Sequence, residues 1–117
     1  MTLFDDRERA FEAKFAYDED RRLIGVARGH RLFALWAATR LGFDADRADA
    51  YAQDIVRCGL DDRHSDAVLR RVFDDLRRAE MNVPESEVEA TFVAMRVRAV
   101  EQMRIEDLTT PEHHPSL

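Results

Sequence analysis

A chain of 117 residues, 45% hydrophobic and 36% charged, has the size of a single domain with one core. Its net charge of −6 argues against a dedicated nucleic-acid binder, which carries a basic stripe or patch, and no run reaches the ~20 apolar residues of a membrane span. The single cysteine, Cys58, allows no internal disulfide, and acidic residues from position 5 with no apolar stretch behind them are unlike a signal peptide, so a cytoplasmic location is the expectation. Glycine and proline are sparse while Ala, Leu, Arg, Asp and Glu dominate, which favours helices over a sheet.

In chain order, the first helical pattern sets Phe4, Phe11 and Phe15 on one stripe. Asp5, Asp6, Arg7, Glu8, Arg9, Glu12 and Lys14 lie around it, with Thr2 or Asp5 as cap. Three phenylalanines at a terminus need something to bury them, either the body of the protein or a partner. The charge cluster Asp18, Glu19, Asp20 interrupts the stripe, and a second stretch over residues 21–41 puts Leu23, Ala27, Ala34, Ala38 and Leu41 on one face, widened by Leu32, Leu35 and Trp36. Gly42 supplies the stop and Asp44 or Asp46 the next cap. The following helix turns Ala48, Tyr51, Ala52, Ile55 and Val56 inward and is expected to end at Gly59.

From Ser65 a further helix repeats Val68, Leu69, Val72, Phe73, Leu76 and Ala79 at helical spacing. After Pro84, Ser86 with Glu89 fits a capping box for a last helix with Val88, Phe92, Met95, Ala99 and Met103 as its core stripe. The segment from Thr109 reads as a frayed tail. Four or five helices on short links predict an all-α antiparallel four-helix bundle, with the N-terminal amphipathic arm a separate short helix if the chain breaks at the charge cluster. The expected organisation is an arm over residues 1–19, a helical bundle over 20–108 and a disordered tail over 109–117. No exposed heptad seam is evident, so a monomer is expected.

Motifs for chemistry are mostly missing, and that narrows function. Asp44 and Asp46 resemble the start of a calcium loop, but Asp49 stands where glycine is needed and Ile55 where glutamate is needed. Cys58 and His64 have no second pair at zinc-ligand spacing, and His113 and His114 fall in the tail. Four glycines build neither a P-loop nor a dinucleotide turn. Gly25 and Gly29, four apart in the second helical stretch, mark close helix packing or a weak point in the helix. The arginine pairs at 21–22, 70–71 and 77–78 sit beside acidic residues and read as solvated, salt-bridged faces. No nucleophile is paired with a base, so no catalytic or metal residue is assigned, and a binding or regulatory role is expected rather than an enzyme.

The run Phe4-Asp5-Asp6-Arg7-Glu8-Arg9-Ala10-Phe11-Glu12-Ala13-Lys14-Phe15-Ala16, followed by Ala27-Arg28, Leu32 and Ala34-Leu35-Trp36-Ala37-Ala38, resembles the zeta subunit family, the ATPase inhibitors of alphaproteobacterial F-type ATP synthases. Similarity continues through the Tyr51-Ala52, Val68-Leu69-Arg70-Arg71-Val72 and Ser86-Glu87-Val88 segments, roughly positions 4 to 100. The resemblance implies a regulatory subunit whose N-terminal segment inserts at an interface of the catalytic head and blocks ATP hydrolysis. Phe4, Asp5, Asp6, Arg7, Glu8, Phe11, Glu12, Lys14 and Phe15 would then form the partner-binding arm. It also implies a location peripheral to the inner membrane through the synthase, and ADP or ATP as a regulatory ligand, with Arg28, His30 and Arg31 as candidate contacts. Over residues 24–31 the family pattern carries more charged or polar residues, where this chain has Ile24, Val26 and two glycines. The other reading is a soluble nucleotide-sensing or adaptor helical module with no action on the synthase.

Overall fold

The fold is that of a computed structural model, which describes the backbone of residues 3–61 and 66–109 and, at the start of the first helix, the side chains of Arg9 and of residues from Asp18 onward. The described residues form four helices: α1 (Leu3–Leu41), α2 (Ala45–Asp61), α3 (Asp66–Arg78) and α4 (Glu85–Thr109). Thr2, His64, Ser65, His113, His114 and the tail beyond Thr109 lie outside the described residues, as do the side chains of Phe4, Asp5, Asp6, Arg7, Glu8, Phe11, Glu12, Lys14 and Phe15. At 1.5 Å per residue α1 is about 58 Å long, close to the 64 Å long axis of the molecule.

The first two helices expected from the sequence are one. The cluster Asp18, Glu19, Asp20 interrupts the apolar stripe but not the backbone, because α1 passes through it unbroken. Acidic residues on an exposed helix face are compatible with helix, and only glycine and proline strongly oppose it. Farther along, α1 ends as expected at Gly42, whose φ of 78° is the left-handed conformation that a glycine stop supplies. The Phe43 N–H bonds the Ala38 carbonyl at 3.0 Å and the Gly42 N–H bonds the Thr39 carbonyl at 3.1 Å, which is a Schellman pair. Asp44 caps α2 by accepting from the Arg47 N–H at 2.8 Å.

Two helix ends differ from expectation. Gly59 does not terminate α2, which continues to Asp61; its missing side chain instead makes room for a neighbouring helix. Ser86 lies inside the first turn of α4, which begins at Glu85 with the Pro84 carbonyl accepting from the Glu87 and Val88 N–H groups.

Contacts along α1 meet α4 in reverse order: Arg21 with Asp107, Arg28 with Glu106, Gly29 against Arg96, Phe33 against Phe92, Arg40 with Glu87. The core gathers Phe33, Ala34, Ala37, Ala52, Ile55, Val68, Val72, Leu76, Val88 and Phe92. Its α3 members are those the periodicity names. On α1, however, Leu23 is half exposed, and Phe33 and Ala37 are fully buried in its place. The buried face is set by the small residues that let α4 approach: a Cβ on Gly25 would meet the Met103 Sδ at 3.3 Å, and one on Gly29 the Arg96 Cα at 3.2 Å. Burying each large side chain contributes ~1.5–3 kcal/mol. On the outer face of α4, Val93, Val97 and Val100 remain exposed.

α3 ends in a second Schellman pair, with Met81 N–H to Leu76 O at 3.0 Å and Glu80 N–H to Arg77 O at 2.9 Å. Here the left-handed position is Glu80, with φ of 58°. A side chain at such a φ costs roughly 1–2 kcal/mol. Glu80→Gly should therefore raise stability by about 0.5–1 kcal/mol in urea unfolding, while Gly42→Ala should lower it by about 1 kcal/mol or more. An unchanged midpoint for Glu80→Gly would refute the strain at this turn.

Candidate functional site

Two features on α1 bear on function: a groove against α2 and the helix end that precedes the body. Between α1 and α2 runs a groove of about 530 Å³. Ile24, Ala27, Val56 and Leu60 give it apolar walls, and Arg28, Arg31 and Arg57 rim it. Ile24 and Leu60 in its walls are largely exposed, at 53% and 67%.

Arg28 and Arg31, three apart in sequence, share this groove, as α-helical spacing dictates. Each is already committed to a carboxylate. Arg28 donates to Glu106 on α4 at 2.5 and 3.1 Å, and that bond holds the Glu106 carboxyl below its ordinary pKa and the guanidinium above its own. Arg31 donates to Asp49 at 2.5 Å and lowers its pKa by hydrogen bond and charge. Arg57 lies 3.6 Å from Asp54. Any anion entering the groove competes with those three carboxylates.

His30 is placed elsewhere. Two residues from Arg28, it points roughly to the opposite side of the helix and is 3% exposed. Its ring stacks on Phe92 with centroids 5.9 Å apart, and a Cβ on Gly59 would fall within 2.7 Å of its Cε1. Sequence reading took Gly59 for a helix stop, so this α1–α2 contact was missed; a glycine followed by two more helix-compatible residues was the available signal. The buried Nε2 has no hydrogen-bond partner. Burial, with a smaller contribution from the Arg96 guanidinium, pushes the pKa of His30 below the ordinary histidine value.

The arm is the second feature. Asp107, near the end of α4, pairs with Arg21, and α4 ends at Thr109. The helical backbone of α1 continues past that level, from residue 17 back to Leu3, for about 22 Å. This is the segment that carries Phe4, Asp5, Asp6, Arg7, Glu8, Phe11, Glu12, Lys14 and Phe15. Among the described residues no helix is long and apolar enough to cross a membrane, and no group of three or more His, Cys, Asp or Glu could hold a metal ion.

The sequence model for ATPase inhibitor subunit zeta matches residues 1–102. The chain belongs to this family. The match takes in the arm, the groove and all four helices as far as Gln102, and it makes the protein an ATPase inhibitor, a regulatory subunit. No curated protein matches the chain significantly. In this zeta-family fold α1 carries two candidate sites, the arm at one end and the charged groove in its middle.

The buried imidazole gives the fold a pH dependence. Above pH ~6.5, the ordinary histidine value, His30 is neutral in both folded and unfolded chains and its packing contributes fully. As pH falls through that value, the unfolded chain takes up a proton that the folded protein resists, so stability is lost at up to about 1.4 kcal/mol per pH unit until the lowered folded pKa is reached. Urea titrations at pH 7.5 and 5.5 should therefore show a larger loss on acidification in the parent than in His30→Asn. Parallel losses would mean that another group titrates.

Proposed function

We propose that this protein blocks ATP hydrolysis by an F-type ATP synthase by inserting its N-terminal helix at a subunit interface of the catalytic head. The observation that carries the reading is the continuation of α1 past the end of α4, with phenylalanines at positions 4, 11 and 15 on one helical stripe. A helix with an aromatic stripe and charges around it suits recognition in a groove, with the aromatics as anchors and the charges setting register. Three phenylalanines at ~1.5–3 kcal/mol each offset much of the association entropy, about 4–15 kcal/mol. The remaining helices, packed in an antiparallel bundle, hold the arm on a rigid mount, and the protein resides in the cytoplasm at the inner membrane through the synthase.

The test is ATP hydrolysis by the cognate catalytic head with the full-length chain and with a variant lacking residues 1–19. Among the described residues the core begins on α1 at Phe33, so the body should keep its helicity and melting temperature. Inhibition by the full-length chain and none by the truncated one is the expected result. Phe11→Ala alone should weaken inhibition about ten- to hundredfold, the affinity equivalent of one buried phenylalanine. Equal inhibition by both chains would refute the arm.

A second reading is favoured by the amphipathic α1–α2 groove. An adenine nucleotide would set its base on Ile24, Val56 and Leu60 and its phosphates toward Arg28, Arg31 and Arg57, displacing Asp49, Asp54 and Glu106. Such a module senses nucleotide with or without action on the synthase. Titration with ADP and ATP, followed by backbone amide shifts, should perturb the groove and leave the His30 surroundings unchanged. Arg31→Ala should weaken binding about fivefold or more, in the range of a charge-assisted hydrogen bond. Saturating nucleotide with no groove shifts would end this reading.

A further inference from the structure

The joint between the α1–α2 turn and α3 holds a charge imbalance that neither the core nor the arm uses. A notch of about 520 Å³ there is lined by Phe43, Arg47, Tyr51, Arg71, Asp75 and Arg78, among others. Asp75 organises it. Its Oδ2 accepts from the Tyr51 hydroxyl at 2.8 Å and from the Arg71 Nε at 3.0 Å. Burial, reinforced by Asp75, raises the Tyr51 pKa and keeps the phenol protonated as a donor. These bonds use up Arg71.

Two guanidiniums are left facing outward. Arg78 stands 3.8 Å from the other Asp75 oxygen, with its side chain 80% exposed. Arg47 forms no ion pair among the described residues. Its guanidinium lies 4.1 Å from the centroid of the Phe43 ring, which Tyr51 holds edge-on at 5.7 Å. Stacking on an aromatic face fixes an arginine's direction without neutralising it. The lining holds three arginines and one aspartate, a local formal charge of about +2 in a protein of net charge −6. In the α1–α2 groove, by contrast, every rim arginine has its own carboxylate.

We propose that this notch is a second docking contact, taking an acidic surface segment of the same partner protein that the arm engages. The inference rests on the arm reading above. Carboxylates of the partner pair with Arg47 and Arg78, while Arg71 stays with Asp75. The notch is shallow and open, so a small anion there stays hydrated, whereas a protein segment adds contacts along its length. Phe43 lies 32 residues along the chain from Phe11, which is about 48 Å on helical rise. Once the arm is bound, engagement of the notch is intramolecular, at an effective concentration of order mM. Charges at such a rim act mainly on association rate and salt dependence.

The experiment is inhibition of ATP hydrolysis by the full-length chain at low and high salt, for the parent, R47E/R78E and R98E/R104E. The last pair makes the same net charge change on α4, away from the notch. R47E/R78E should raise the half-inhibitory concentration about tenfold at low salt and flatten its salt dependence, with helicity and melting temperature unchanged because neither arginine is buried. R98E/R104E should stay within about twofold of the parent. Parent-like inhibition and salt dependence by R47E/R78E, with the truncated chain inactive, would overturn the notch and leave the arm standing. Equal weakening by both reversals would assign the effect to net charge and overturn it too. If inorganic phosphate shifts the Arg47 and Arg78 resonances while R47E/R78E inhibits normally, the notch is a small-anion site instead. A full-length chain that does not inhibit would remove both readings together.

Discussion

The close approach of α2 and α4 to the middle of α1 is the constraint from which the other features follow. Gly25 and Gly29 bring the Met103 side chain and the Arg96 backbone to contact distance, and Gly59 does the same for α2 at His30. Ala34, Ala37 and Ala38 extend this low-relief surface. Each glycine inside a helix costs about 1 kcal/mol relative to alanine. Sinking Phe33 and Phe92 edge to face at 5.2 Å, with His30 stacked beyond them, offsets that cost, since each large apolar side chain contributes ~1.5–3 kcal/mol. A wider spacing would let water reach His30 and satisfy its nitrogen, at the expense of the aromatic contacts.

Because α1 is clamped this tightly, the part that runs beyond the body inherits its helicity. An isolated 15-residue helix is marginal in water, since nucleation carries a factor of about 10⁻³, or roughly 4 kcal/mol. A segment that continues a helix already fixed between Gly25 and Leu41 needs propagation only. An arm that inserts as proposed would meet its partner with much of its ordering cost already met by the core. The ion pairs near the end of the body, Arg21 with Asp107 and Arg28 with Glu106, are partly exposed, so each contributes only ~0–1 kcal/mol. Their role is to fix the register of α4 against α1, and with it the point at which the arm leaves the body.

How much of this could be read beforehand depends on what each residue type was asked to do. Gly42 and Asp44 act locally, through one φ angle and one hydrogen bond, and both are read correctly from sequence. Val68, Val72 and Leu76 obey a period that only one packed face satisfies. Gly59 and Ser86 were misread because their local propensities are real but a neighbour overrides them: His30 takes the space beside Gly59, and Pro84 starts the turn before Ser86 can cap it. The charge cluster at residues 18–20 ended a stripe without ending a helix. On α1, Ala34 and Ala38 of the face read from sequence are buried, whereas Leu23 is half exposed and Phe33 and Ala37 complete the buried face. Of the three groove candidates, the spacing separates two from the third: residues 28 and 31 lie on one face and residue 30 on the other. Tyr51, Asp75 and the notch arginines come from different helices, so no single-helix pattern could join them.

The distribution of charge then assigns different tasks to different places on one chain. Arginines along the α1–α2 groove are paired one to one with carboxylates, so an anion binds there only by exchange, and its net gain is small. In the notch, one aspartate serves three arginines, and the acidic segment proposed to dock there would meet a local excess of positive charge. In sequence, Phe4, Phe11 and Phe15 fall near one end of α1, and the notch lies beyond the other. A partner with an aromatic-accepting groove and an acidic segment at matching separation can satisfy both in one direction only. Reversing the inhibitor end to end would put phenylalanines against carboxylates and arginines against an apolar cleft, and the desolvation of unpaired charge makes that arrangement costly. Under the proposed docking, orientation would be selected by the separation of the arm phenylalanines on α1 from Arg47 on α2 and Arg78 on α3, without a dedicated locking contact.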